Sequence, residues 1–128
     1  MNRIYNPATV APPAGRYSLA IEVPPNARWL YISGQVGTAP DGAVPADIQG
    51  QAANCWSNIV AILAEAGMAV GDLVKVTVFL TREQDIPAYR EARDRALGDA
   101  RPASTLLVVS KLASPSFLVE VEATAAKS

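Results

Sequence analysis

The run Val119-Glu120-Val121-Glu122 sets two carboxylates two residues apart inside a β-rich stretch. Side chains alternate along a strand, so Phe117, Val119, Val121 and Ala123 share one apolar face, while Leu118, Glu120, Glu122 and Thr124 share the other. That second face is either plain solvent surface or one wall of a site. The chain has no histidine, which removes Ser-His-Asp and Cys-His nucleophile pairs and leaves a zinc site only one Cys and carboxylates. No metal site is expected. Acid–base work then falls to Asp, Glu, Tyr, Lys, Cys or water, and a partly buried glutamate shifted toward neutrality is the natural candidate. That raises the interest of Glu120, with Glu122 read as a solvated or interface-paired neighbour.

The elements that must hold these residues follow from pattern. Arg101-Pro102-Ala103-Ser104-Thr105-Leu106 is a second β-rich run ahead of the Glu120 strand, and Leu73 to Leu80 is a continuous run of the kind buried on both faces. A helix is predicted from Asp47, its N-cap, to Gly67, with Cys55, Ile59, Ile62, Leu63 and Ala66 along one face. Cys55 is therefore an inert core residue. A second helix is predicted from Asp85 to Leu97, with Pro87 in its first turn and Tyr89, Ala92 and Ala96 facing inward. Tyr17 to Val23 and Trp29 to Ser33 are expected to pair as a hairpin across Pro24-Pro25-Asn26. The order β-β-β-α-β-α-β-β gives an α+β fold in which two helices cover one face of a mixed sheet. The other, apolar face lacks cover within the chain, which predicts an oligomer of cyclic symmetry with Glu120 and Glu122 near the subunit boundary.

Composition narrows the function classes. At 128 residues, half of them apolar, the chain suits one domain spanning 1–128 that needs no disulfide or metal to fold. Net charge is −1 and the eleven Lys and Arg are scattered, so a nucleic-acid partner is not expected and a small ligand is favoured. Trp29 and Trp56 read as packing residues. The single Cys, the absence of a signal peptide and the absence of a long apolar run predict a cytoplasmic protein without membrane contact.

Several segments together carry a resemblance: Gly15-Arg16-Tyr17-Ser18-Leu19-Ala20, Ile32-Ser33-Gly34-Gln35-Val36, Glu65-Ala66-Gly67-Met68, Val70 to Leu80, Arg101-Pro102-Ala103-Ser104-Thr105, and Val119-Glu120-Val121-Glu122-Ala123. In this order, over nearly the whole chain, they resemble the RidA/YjgF family, also known as endoribonuclease L-PSP. The resemblance implies a chorismate-mutase-like fold, a homotrimer whose sheets form a central barrel, and small-molecule clefts between subunits. It also implies cofactor-free hydrolysis of reactive enamines or imines to a 2-oxo acid and ammonia. Of the family's site positions, Tyr17, Ser33, Gly34 and Glu120 match, Glu120 being the residue that positions the attacking water.

One position departs. Ser104 stands where archetypal members have the arginine that grips the substrate carboxylate, and a hydroxyl offers neither the charge nor the planar fork of a guanidinium. Losing that bidentate pair weakens recognition of a simple 2-imino acid by about 100-fold. Arg16, beside Tyr17, and Arg101, just ahead of Pro102, are the candidates for a relocated positive charge; their alternative is that both are solvated loop residues. Three functions follow in order: an enamine or imine deaminase whose substrate differs from simple 2-imino acids, a non-catalytic trimer that binds a metabolite or a protein, and, last, a ribonuclease.

Overall fold

The computed structural model describes residues 1–128, which run β1 (Arg3–Tyr5), β2 (Ala20–Glu22), β3 (Arg28–Val36), α1 (Ile48–Glu65), β4 (Leu73–Leu80), α2 (Ile86–Leu97), β5 (Ala103–Val108) and β6 (Val119–Lys127). Four strands form one mixed sheet in the order β3-β6-β4-β5, with β6 antiparallel to both neighbours and β5 parallel to β4. The α+β architecture and the order of elements agree with the sequence pattern.

Local chemistry sets the helix ends. Asp47 caps α1 by accepting from the Gly50 N–H at 2.8 Å. At the other end Gly67 turns left-handed (φ +71°), Met68 N–H reaches Leu63 O at 2.8 Å and Gly67 N–H reaches Ala64 O at 3.0 Å. That pair of bonds satisfies carbonyls the helix leaves open, and Met68 and Leu63 both enter the core. Pro87 sits in the first turn of α2, where its missing N–H costs nothing.

Both helices lie on one face of the sheet. Val76, Val78 and Leu80 of β4, with Val119, Val121 and Ala123 of β6, pack there against Cys55, Trp56, Ile59, Leu63 and Tyr89. Each large apolar side chain buried in this way contributes roughly 1.5–3 kcal/mol. The alternation expected for the last strand holds: Val119, Val121 and Ala123 are buried while Glu120, Glu122 and Thr124 face away.

Three expectations need correction. The Tyr17–Val23 segment does not form a hairpin with β3; β2 pairs with β1, and β3 pairs with β6. Pro24 and Pro25 lack the N–H groups and positive φ that a tight hairpin turn uses, whereas nine-residue β3 alongside nine-residue β6 buries Ile32 against α1. Second, β4 is not buried on both faces, because Lys75, Thr77 and Phe79 on its uncovered side are only half-buried. Third, that uncovered face is mixed rather than apolar. It carries Trp29 stacked on Tyr31, Phe79 and Leu107 beside a band of threonines, Lys75, Glu120 and Glu122. No helix is long and apolar enough to cross a membrane.

Candidate functional site

Glu120 sits where β3 breaks its register. Ile32 is opposite Ala123 and Gln35 is opposite Val121, so Ser33 and Gly34 together face the single residue Glu122. This bulge takes both residues out of the one-to-one ladder and bends β3 over the start of β6. A Cβ on Gly34 would lie 1.8 Å from Glu120 Oε2 and 2.8 Å from its Cδ. The carboxylate therefore rests on the bare Cα of Gly34, a position only glycine leaves open. Around the pair is an open cleft of about 380 Å³, lined also by Phe79, Val109, Lys111 and Glu122.

A polar stripe on α1 fixes this geometry from behind. Cys55 Sγ donates to Gln35 O at 3.2 Å, Asn54 Nδ2 to Gly37 O at 3.0 Å, and Asn58 Nδ2 to Thr38 O at 3.1 Å. The chain leaving the bulge is thus held at three carbonyls. Gln51, fully buried, holds the approach to β6: its Nε2 donates to Pro45 O and Ser116 O, and its Oε1 accepts from Leu118 N–H, each at 2.8 Å. Burial first, and the Glu120 charge second, push the Cys55 thiol up to about 12. At neutral pH Cys55 is a protonated donor to the backbone and not a nucleophile. Gln51, Asn54 and Asn58 do not follow from the sequence reading above. Their one signal is polar residues at helical spacing flanking the apolar face of α1.

The other candidates gather elsewhere. Ser18 forms an isolated bridge to Ala103, its N–H donates to Pro102 O at 3.1 Å, and its hydroxyl bonds Arg101 O, so the Gly15–Ser18 loop lies against the start of β5. Tyr17 is half-buried in that loop, its hydroxyl accepting from Ala14 N–H at 3.2 Å. Both arginines have partners within the chain. Arg16 Nε lies 3.6 Å from Asp94 Oδ2, and Arg101 donates to Gly98 O at 2.7 Å and Ala100 O at 2.8 Å.

Ser104 is level with Val76, a buried helix-facing residue, and so shares that face by strand alternation. Thr105, next to it, is on the open face and accepts from Lys75 Nζ at 2.6 Å. Glu120 is level with Phe79, and Phe79 with Leu107, three residues beyond Ser104 and two strands from β6. Strand geometry then separates Ser104 from Glu120 by roughly 14 Å, on opposite faces of the sheet. One chain thus holds two clusters: Ser33, Gly34 and Glu120 at the bulge, and Tyr17, Arg16, Arg101 and Ser104 at the start of β5. No group of three or more His, Cys, Asp or Glu side chains is placed to hold a metal ion.

Comparison with known proteins agrees with this architecture. The family model described as Endoribonuclease L-PSP matches residues 8–127. A RutC family protein of Pyrococcus abyssi is 37% identical over 117 residues, covering 90% of this chain and 89% of its own. TdcF of Escherichia coli, which carries the name reactive intermediate deaminase, is 34% identical over 103 residues, covering 77% of this chain and 79% of its own. The crystal structure of TdcF with bound serine superimposes with a TM-score of 0.74 at 29% identity, covering 98% of this chain and 99% of that one. YyfB of Yersinia pestis, from the conserved Rid protein family, superimposes with a TM-score of 0.87 at 28% identity, covering 97% of each chain. With its fold matched from end to end and its sequence matched over residues 8–127, the chain belongs to the RidA/YjgF (endoribonuclease L-PSP) family.

Proposed function

We propose that this protein is a cofactor-free hydrolase of reactive enamines and imines, working as a homotrimer whose clefts each combine the two clusters from adjacent copies. The observation that carries the reading is the Glu120 carboxylate packed on Gly34 at the bulge, facing an open cleft. The name of TdcF, reactive intermediate deaminase, supports the same class of chemistry. An enamine first takes a proton on carbon to become an iminium. Glu120 then accepts a proton as water adds to the C=N carbon, forming the C–O bond while the C=N electrons move to nitrogen. The protonated Glu120 then gives that proton to the amine of the carbinolamine, which leaves as ammonia, and the regenerated carboxylate takes the hydroxyl proton as C=O forms and releases it to solvent.

The composite cleft is favoured by topology. The two clusters lie two strands apart and toward opposite ends of the sheet, roughly 14 Å from each other, too far to hold one small ligand within a chain. β3 and β5 are the two free edges of the sheet, and Tyr31 at 77% exposure and Trp29 at 50% leave aromatic surface to bury. A head-to-tail ring of identical copies brings unlike ends together and closes. A second reading, a non-catalytic trimer that only binds a metabolite, is favoured by Ser104, because Arg16 and Arg101 are both engaged within the chain.

Ammonia release from 2-iminobutyrate, generated in situ by an amino-acid oxidase, separates the two. The parent accelerates release over buffer and Glu120→Ala lowers the rate about 100-fold or more. No acceleration by the parent or by Ser104→Arg would leave the binding trimer as the function.

A further inference from the structure

The Glu120 cleft contains a cation that the family site does not account for. Lys111 lines it together with Gly34, Phe79, Glu120 and Glu122. Its ammonium has no hydrogen bond or ion pair within the chain, whereas Arg82, Arg93 and Arg95 are paired with carboxylates, and Lys75 and Lys127 are bonded to Thr105 and Gly67 O. Its loop is fixed on both sides. Val109 N–H bonds Leu80 O at 2.8 Å two residues before it, and Gln51 ties Ser116 and Leu118 at the far end of the loop. Lys111 is therefore an unpaired positive charge held at the rim of a cleft whose other two ionisable groups are carboxylates.

We propose that Lys111 is the specificity-determining residue that binds the ligand's carboxylate in the Glu120 cleft. The inference rests on the reading of that cleft as the imine site. Two carboxylates and one ammonium complement a zwitterion, with its protonated C=N nitrogen toward Glu120 and Glu122 and its carboxylate on Lys111. A 2-imino acid in its protonated form carries this charge pair, so Lys111 restores to such substrates the carboxylate recognition that Ser104 alone argues against. An ammonium is a point charge without the guanidinium's planar fork, so Lys111 supplies the charge absent at Ser104 while leaving carboxylate orientation less constrained.

The test compares two probes of similar size, 2-oxobutyrate and the uncharged ketone butanone, titrated into the parent, Lys111→Ala, Lys111→Arg and Lys111→Glu proteins. Lys111→Ala weakens 2-oxobutyrate binding by about 10- to 100-fold and leaves butanone unchanged. Lys111→Glu weakens it further, Lys111→Arg stays within about threefold of the parent, and added salt reduces the difference between parent and Lys111→Ala. An exposed side chain without partners leaves thermal stability unchanged in all three variants. Equal 2-oxobutyrate affinity in parent and Lys111→Ala overturns the proposal, as does a parent that binds the acid no better than the ketone. Either result, accompanied by Glu120-dependent ammonia release, removes Lys111 and keeps the imine chemistry. Lys111-dependent acid binding without any such release does the reverse.

Discussion

Gly34→Ala tests the central contact of the site, because it changes one methyl group and nothing else. The φ of Gly34 lies outside the left-handed region, so alanine fits its backbone and the cost is steric. The new Cβ would stand 1.8 Å from Glu120 Oε2, against an ordinary contact of 3.4 Å or more, so the carboxylate must retreat by about 1.6 Å. Turning the end of a glutamate to an inferior rotamer costs about 0.5–1.5 kcal/mol. The loss of glycine's freedom in the unfolded chain returns about 0.4–1 kcal/mol. Net stability then changes by less than about 1 kcal/mol and Tm by less than about 5 °C. Function responds far more, since a catalytic group misplaced by about 1 Å loses on the order of 100-fold in rate. Thermal unfolding and ammonia release on the same preparations read both quantities. On a Glu120→Ala background the methyl meets no carboxylate, so Gly34→Ala there is neutral or stabilising, with a coupling of about 1 kcal/mol. A variant with kcat/KM within threefold of the parent, or a double-mutant cycle without coupling, would refute the contact as the element that sets Glu120.

Two further predictions concern the stripe on α1. Gln51→Leu keeps the volume but strands Pro45 O, Ser116 O and Leu118 N–H, and costs about 3 kcal/mol or more in a urea titration; a loss under 1 kcal/mol would show that these bonds do not fix the approach to β6. The Cys55 thiol has a folded pKa of about 12 against an ordinary 9.0, so the fold binds that proton more tightly than the unfolded chain does. Its contribution is complete below pH 9 and is lost as pH rises toward 12, and Cys55→Ala removes that part of the alkaline decline in urea midpoint. At pH 8 iodoacetamide labels the unfolded chain and spares the folded one; labelling of the native protein at the rate of a free thiol contradicts the burial argument.

Much of the fold and part of the site are legible from residue order, and the boundary between the two is physical. Asp47 and Gly67 bound α1 through bonds to residues no more than five positions away, so the helix is written locally. Alternation along Val119–Thr124 puts Glu120 and Glu122 on one face because side-chain direction in a strand depends only on position. Strand partners are different. The backbone groups of Ala20–Glu22 and of β6 are chemically the same to β3, and the choice between them is made by how much apolar surface the whole sheet buries. The same long-range choice places the Ser33–Gly34 bulge opposite Glu122, turns Ser104 toward the helices, and brings Lys111 and the Gln51–Asn58 stripe to one end of the sheet. The sequence by itself determined which elements form and which faces they bury. Only the tertiary structure decided which residues share a cleft, because nearness across a sheet depends on register, and register is settled by all the strands at once.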